Sequence, residues 1–285
     1  MQHILTTADL RKVTASFSEA RESIALVPTM GNLHSGHISL VELAKQNAEH
    51  VIVSLFVNPS QFGQGEDYLE YPRTLEIDSL KLEQAGIKML FVPKVEEIYP
   101  LGLDDATHIE VPDLSDDLCG ESRPGHFFGV TSVVCRLLNI CNPDIAVFGQ
   151  KDYQQYVILQ RMVSDLNIPV RLLLGPTQRE GNGLAMSSRN GYLSKGEKKQ
   201  ASFIYSTLVA ASEEIIQDSS DLNGIEINAF EEMTKKGFKV DYVAIRRSSD
   251  LKKPKGGDTK LVILAAARLG NVRLIDNVLV KLTKN

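Results

Sequence analysis

Short apolar runs at 24–27, 51–57, 89–92, 145–148 and 170–174 punctuate the first two-thirds of the chain, and amphipathic stretches follow most of them. Runs this short, with little polar alternation, suit strands buried on both faces. Helical periodicity marks 39–47, 75–85 and 153–166. Alternating strand and helix predicts parallel strands joined by crossover helices, which is an α/β, Rossmann-like, doubly wound parallel sheet. Ligands of such sheets gather beyond the carboxyl ends of the strands, where the strand order reverses. A further stripe of Val130, Val133, Val134, Leu137 and Leu138, within 129–140, reads as a core or subunit-packing helix.

The texture changes at Gly175-Pro176. A helical region at 194–217 is followed by strand-like runs at 240–246, 261–267 and 272–276. The pattern predicts a first domain over 1–176 and a small α+β C-terminal domain over 177–285. No internal repeat or low-complexity tract interrupts either.

At 285 residues the chain has room for a sizeable core. Lysine plus arginine number 31 against 36 acidic residues, a formal charge of −5, which argues against a nucleic-acid partner. The Lys252-Lys253-Pro254-Lys255 run reads as a solvated turn. Cys119, Cys135 and Cys141 are odd in number and lack metal-ligand spacing, which points to a reducing compartment. There is no bilayer-length apolar segment and no leader pattern. The expectation is a cytoplasmic protein without a membrane partner.

Chemistry concentrates first in Pro28-Thr29-Met30-Gly31-Asn32-Leu33-His34-Ser35-Gly36-His37, between the first apolar run and the first amphipathic stretch. This is a strand-to-helix turn with two histidines near the helix start. Backbone N–H groups there lack intrahelical partners and the macrodipole favours an anion. Gly31 and Gly36 leave room for a phosphate to approach. A P-loop is rejected, because His37-Ile38 stand where Lys and Ser/Thr are required. Zinc is not favoured, since no nearby side chain completes a ligand set. Taken alone, a pair of surface histidines in a glycine-rich connection explains the segment better.

A second candidate is Met186-Ser187-Ser188-Arg189, after Gly181-Asn182-Gly183 on what reads as a mobile loop. Hydroxyls and a guanidinium suit phosphate oxygens. Three other segments carry weaker signals. In Gly149-Gln150-Lys151-Asp152, Lys151 offers a cation to phosphate; Asp152 could accept from ribose hydroxyls or cap a helix. Gln155 lies one turn further on. Asn58 and Gln61 end another strand, where amides could recognise hydroxyl and carboxylate groups, though an ordinary turn is the default. Arg123-Pro124-Gly125-His126-Phe127 reads by default as a surface loop.

The His-x-Gly-His turn paired with a late Met-Ser-Ser-Arg loop resembles the nucleotidylyltransferase superfamily. The likeness sharpens with Phe56-Val57-Asn58-Pro59…Gln61-Phe62, Arg123-Pro124-Gly125-His126-Phe127…Gly129-Val130, Pro143-Asp144…Phe148-Gly149…Lys151-Asp152…Gln154-Gln155, and Met186-Ser187-Ser188-Arg189-Asn190. These blocks, in order and over nearly the whole length, resemble the pantoate–β-alanine ligases (pantothenate synthetases).

That resemblance implies a two-domain homodimer that condenses pantoate with β-alanine, using ATP and Mg2+, through pantoyl adenylate with release of AMP and pyrophosphate. It implies that ATP is held by Met30, Gly31, Asn32, Leu33, His34, Ser35, Gly36 and His37, by Gly149, Gln150, Lys151 and Asp152, and by Gln178, Met186, Ser187, Ser188 and Arg189. The C-terminal domain would close over ATP. Catalysis would fall to His37, His34, Lys151, Ser187, Ser188 and Arg189. Gln61, Gln155 and Asn58 would bind pantoate, and Gln61 would also border β-alanine. No protein metal ligands are implied. The chain departs from the family pattern at Gln178, where an aliphatic residue is common, and at Asn32, where alanine is frequent. The alternative is a nucleotidylyltransferase that releases an adenylylated product in cofactor synthesis.

Overall fold

The computed structural model describes residues 1–63 and 65–283. The chain forms two compact units, one of Met1–Gly149 with Ile158–Pro176, the other of Gln150–Val157 with Thr177–Asn285. The first unit is built on a six-stranded parallel sheet: β1 (Gln2–Ile4), β2 (Ile24–Thr29), β3 (His50–Leu55), β4 (Met89–Phe91), β5 (Ile145–Gly149) and β6 (Arg171–Gly175). Its order is β1-β4-β3-β2-β5-β6, and every pairing is parallel. The helices are α1 (Thr7–Ala20), α2 (Ser35–Lys45), α3 (Leu75–Gln84), short α4 (Val95–Ile98) and α5 (Cys119–Ser122), then α6 (His126–Cys141) and α7 (Tyr153–Asp165). The start of α7 belongs to the second unit.

Consecutive strand residues, such as Leu26 with Val27, Ile52 with Val53, and Ala146 with Val147, are all fully buried. That is the signature of a parallel sheet covered on both faces, and it explains why the apolar runs do not alternate. The chain goes from β2 to β3 on one side and later places β5 on the other. The carboxyl ends of β2 and β5 therefore form the switch point. The expected strands stand within a few residues of their predicted bounds. The sequence pattern does not reveal β1, which is very short, or α1, which buries only Leu10 and Thr14 and so carries almost no apolar stripe.

In the second unit, α8 (Lys195–Ala201), α9 (Phe203–Gln217) and α10 (Leu222–Lys235) precede the antiparallel strands β7 (Lys239–Arg247), β8 (Lys260–Leu269) and β9 (Val272–Lys281). Ile204, Leu208, Ala211 and Ile215 of α9 share a core with Leu261, Ile263, Ala265 and Ala267 of β8 and with Val272 and Leu274 of β9. The expected single helical region is two helices, broken at Ser202. α10 has no counterpart among the expectations. β9 runs on to Lys281 rather than stopping near 276, because Asp276 and Asn277 pair in register with Ala265 and Leu264 despite being polar. The fold class is α/β with a small α+β C-terminal unit. Among the described residues no helix is long and apolar enough to cross a membrane.

Candidate active site

The turn after β2 is fixed from beneath by one buried carboxylate. Gly31 and Asn32 both take the left-handed conformation, at φ 85° and 51°. A Cβ on Gly31 would also press on Leu55 Cδ2 at 2.6 Å, but it is the left-handed backbone that calls for glycine here. The tight path turns the backbone N–H groups of Asn32 and Leu33 inward, where each donates to Asp78 at 2.8 Å. Asp78 is fully buried and also accepts from Thr74 Oγ1 at 2.9 Å. Lys81, one turn further along α3, donates to the Leu33 carbonyl at 2.5 Å. These inward donors are not the phosphate cradle that the glycine-rich sequence suggests. They are scaffold, and charge-assisted bonds of this kind are worth ~1.5–3 kcal/mol each.

The chemistry of the turn passes to its histidines. His34 is the N-cap of α2, and its Nδ1 accepts from Gly36 N at 3.1 Å. His37 Nδ1 accepts from His34 N at 3.2 Å. The rings sit 4.1 Å apart between centroids. A ring nitrogen that accepts an N–H carries no proton, so in both neutral rings the proton resides on Nε2. The cap therefore dictates the tautomer, with Nδ1 the acceptor in both rings.

Beyond β3, Asn58 is 1% exposed and its amide is committed within the protein. Its Oδ1 accepts from Ser60 Oγ at 2.9 Å and Tyr99 Oη at 2.8 Å; its Nδ2 donates to Gln61 Oε1 at 3.0 Å and Gly129 O at 3.2 Å. Asn58 thus orients Gln61, whose Nε2 lies 3.2 Å from Met30 Sδ, instead of presenting its own amide. Gly129 on α6 lets that helix approach closely, since a Cβ there would lie 2.3 Å from Ser60 O and 2.6 Å from Gln61 Cα. The Arg123 turn is not the surface loop of the default reading. Arg123 grips Glu66 through two bonds of 2.7 and 2.6 Å and donates to His126 Nε2 at 2.9 Å; His126 Nδ1–H donates to the Gln61 carbonyl at 2.8 Å. Burial pushes Glu66 up, but the hydrogen bonds and charge of Arg123, with Gly63 N–H and His126, override it and hold the carboxyl at about 2.

In the second unit, Gln150–Asp152 form a 3-10 turn leading into α7, and Lys151 Nζ lies 3.6 Å from Asp152 Oδ1. Gln155 is partly buried on the first part of α7. Residues 178–186 fold back as a hairpin: Gln178 O accepts from Met186 N at 2.9 Å and Glu180 N donates to Leu184 O at 2.8 Å. Ser187 caps the following 3-10 helix, Ser188–Tyr192, by accepting from Arg189 N at 3.3 Å, which leaves its O–H proton to donate. Buried Asn190 ties the segment down through Glu180 Oε1 at 3.1 Å and Ala185 O at 3.0 Å. The glycine-rich sequence predicts a mobile loop, whereas the structure shows a braced hairpin and helix. Among the described residues no group of three His, Cys, Asp or Glu side chains could hold a metal ion.

The model of the family described as pantoate-beta-alanine ligase matches residues 2–279. The chain belongs to the pantoate–β-alanine ligase family. A pantothenate synthetase of Shewanella loihica is 50% identical over 270 residues, 95% of each chain, and one of Methylococcus capsulatus is 50% identical over 282 residues, 99% of each. Among solved structures, a pantothenate synthetase from Thermus thermophilus has a TM-score of 0.90 at 43% identity, covering 98% of this chain and 99% of that one. A pantoate–β-alanine ligase from Francisella tularensis, complexed with beta-gamma ATP and beta-alanine, has a TM-score of 0.80 at 35% identity, covering 98% and 97%.

Within this ligase, the first unit brings Met30 through His37 together with Asn58 and Gln61, and the second carries Lys151, Asp152, Gln155, Gln178 and the segment 186–189. Sequence reasoning missed several residues that hold these in place: Asp78, Tyr99, Arg179, Asp276 and Asn277. Asp78 had a readable signal, an acid one helical turn before the fully buried Leu82 and therefore on the apolar face of α3. The others gain meaning only from contacts distant in sequence.

Proposed function

We propose that the chain condenses pantoate with β-alanine, using ATP, through a pantoyl-adenylate intermediate. One observation carries the reading. His34 Nδ1, His37 Nδ1 and Ser187 Oγ each accept a backbone N–H, so the acceptor side of each group is turned to the protein. Groups whose acceptors face inward bring no competing lone pair to a polyphosphate. The pantoate carboxylate attacks the α-phosphorus, and the bond to pyrophosphate breaks. The β-alanine amine then attacks the acyl carbon, the bond to AMP breaks, and the amine loses its extra proton to solvent. Charge grows on phosphate oxygens in the first step, so positioned donors accelerate it.

In this reading His34, His37, Lys151, Ser187, Ser188 and Arg189 bear on the phosphates. Met30 through His37, Gly149 through Asp152, Gln178 and Met186 line the rest of the nucleotide. The C-terminal domain is the part expected to close on ATP. Gln61, oriented by Asn58, and Gln155 hold pantoate, with Gln61 also bordering β-alanine. Magnesium would arrive on the nucleotide, where it neutralises phosphate charge. A homodimer in a cytoplasmic setting belongs to the same reading, and sedimentation would check the oligomer. The test is to incubate the protein with ATP, Mg2+ and pantoate, with and without β-alanine, and to follow nucleotides by mass spectrometry. AMP released only when both substrates are present is the expected result. Release of ADP would overturn the reading, and pyrophosphate without AMP when both acids are present would point to a nucleotidylyltransferase.

A further inference from the structure

We infer that the adjacent residues Asp276 and Asn277 on β9 are positioning residues for the nucleotide, one holding the hairpin before Ser187 and the other the turn that carries Lys151. Successive strand residues point to opposite faces of the sheet. Asp276 shares its face with Val272 and Leu274, which join the core beneath α9. On that side it takes Arg179 in a two-pronged grip, at 2.6 and 2.9 Å. The Arg179 guanidinium stands 3.5 Å from the centroid of Tyr205 on α9 and donates to Gly183 O at 3.1 Å. The hairpin is therefore clamped to β9 and α9 by one guanidinium.

Asn277 emerges on the other face, 1% exposed. Its Nδ2 donates to the carbonyls of Gln150 at 2.8 Å and Lys151 at 3.0 Å, while its Oδ1 accepts from Gln150 Nε2 at 3.2 Å. One amide thus satisfies consecutive carbonyls of a tight turn and sets the direction in which Lys151 leaves it. Only a carboxamide supplies this, because the turn needs a two-hydrogen donor and an acceptor at the same place. Both residues touch only other protein groups in these bonds, so their influence on the nucleotide passes through Lys151 and the 186–189 segment.

The inference rests on the reading that those groups hold ATP, and the test separates the two. In the full-length enzyme, Asn277→Asp keeps the shape but faces a carboxylate toward two carbonyl oxygens. The Kd for ATP, measured calorimetrically with Mg2+, should rise ~10-fold or more, as expected when a buried donor that orders a site is lost. The Kd for pantoate should hold near wild type, measured where denaturant unfolding shows the variant folded. Placed on Lys151→Ala, the same change should weaken ATP ~3-fold or less, because coupled residues do not add. Asn277→Ser, which keeps one hydroxyl donor too short to reach both carbonyls, serves if the aspartate variant folds poorly. Asp276→Asn should weaken ATP in the Lys151→Ala background as strongly as in wild type, since it acts through Arg179. An unchanged ATP Kd in Asn277→Asp or Asn277→Ser, or losses that multiply fully with Lys151→Ala, would overturn the inference. Wild-type enzyme that binds ATP but forms no AMP would defeat the ligase reading alone, and the Kd comparison would still decide this one.

Discussion

After β2 a buried carboxylate holds backbone N–H groups, with Asp78 reaching Asn32 and Leu33; ahead of Ser187 a guanidinium holds a backbone carbonyl and a carboxylate, with Arg179 reaching Gly183 and Asp276. The first arrangement lies between a strand end and a neighbouring helix of the same parallel sheet, and its orienting bonds run through the backbone. The second relies on side chains far apart in sequence, as between Arg179 and Asp276. Yet each fixes a segment in which side chains accept a backbone N–H, His34 and His37 after β2 and Ser187 after the hairpin. The difference lies in fragility: backbone capping survives most substitutions around it, whereas a clamp of long side chains fails at any link.

Removing a proposed donor should have the largest effect. His37→Ala should slow adenylate formation ~10²–10³-fold, the usual loss for one preorganised donor, while single-turnover assays and a retained cooperative unfolding transition check that the site and not the fold is damaged. A near-normal rate would remove His37 from the chemistry and break the parallel with Ser187. Next, Asp78→Asn keeps one acceptor but turns amide hydrogens toward a backbone N–H. It should destabilise the protein by ~2–3 kcal/mol, because breaking a buried charged hydrogen-bond set is expensive; denaturant unfolding would measure it, and a wild-type midpoint would show that the turn needs no support from beneath.

Gly129→Ala would place a methyl against the Ser60–Gln61 backbone. Overpacking of this kind costs about 1–3 kcal/mol, and here it should raise the KM for pantoate more than the KM for ATP. Equal changes in both would disconnect Gln61 from pantoate. A smaller effect is expected from Glu66, whose folded pKa of about 2 lies below its ordinary 4.5. A depressed carboxyl stabilises the fold fully above its unfolded pKa and loses that contribution as pH falls through the folded value. Glu66→Gln should therefore be less stable than wild type by roughly 1–2 kcal/mol at pH 7, after allowance for solvent screening, with the gap closing between pH 4.5 and 2. A gap independent of pH would assign the loss to packing. The smallest effect concerns exchange: the amides of Met186 and Asn190, bonded to Gln178 O and Ser187 O, should resist deuterium exchange without nucleotide. Rapid exchange there would restore the mobile loop that the glycines suggest.

The sequence by itself determined the parallel sheet, since fully buried strands write themselves as unbroken apolar runs, and it marked the segments around His34, His37, Lys151 and Ser187 as rich in polar and cationic groups. It also located the change of texture after Pro176. It did not reveal the direction of those groups. That the glycine-rich turn spends the N–H groups of Asn32 and Leu33 on Asp78, that Asn58 is held by Tyr99 and the Gly129 carbonyl, and that Arg123 is tied to Glu66 were decided by tertiary structure alone. The physical reason is that periodicity and composition report burial, a property each residue carries locally, whereas hydrogen-bond partnership depends on which residue arrives from another element. Asp276 and Asn277 illustrate the limit: in sequence they are polar residues ending an apolar run, and only the pairing of β9 with β8 makes them two anchors facing opposite ways.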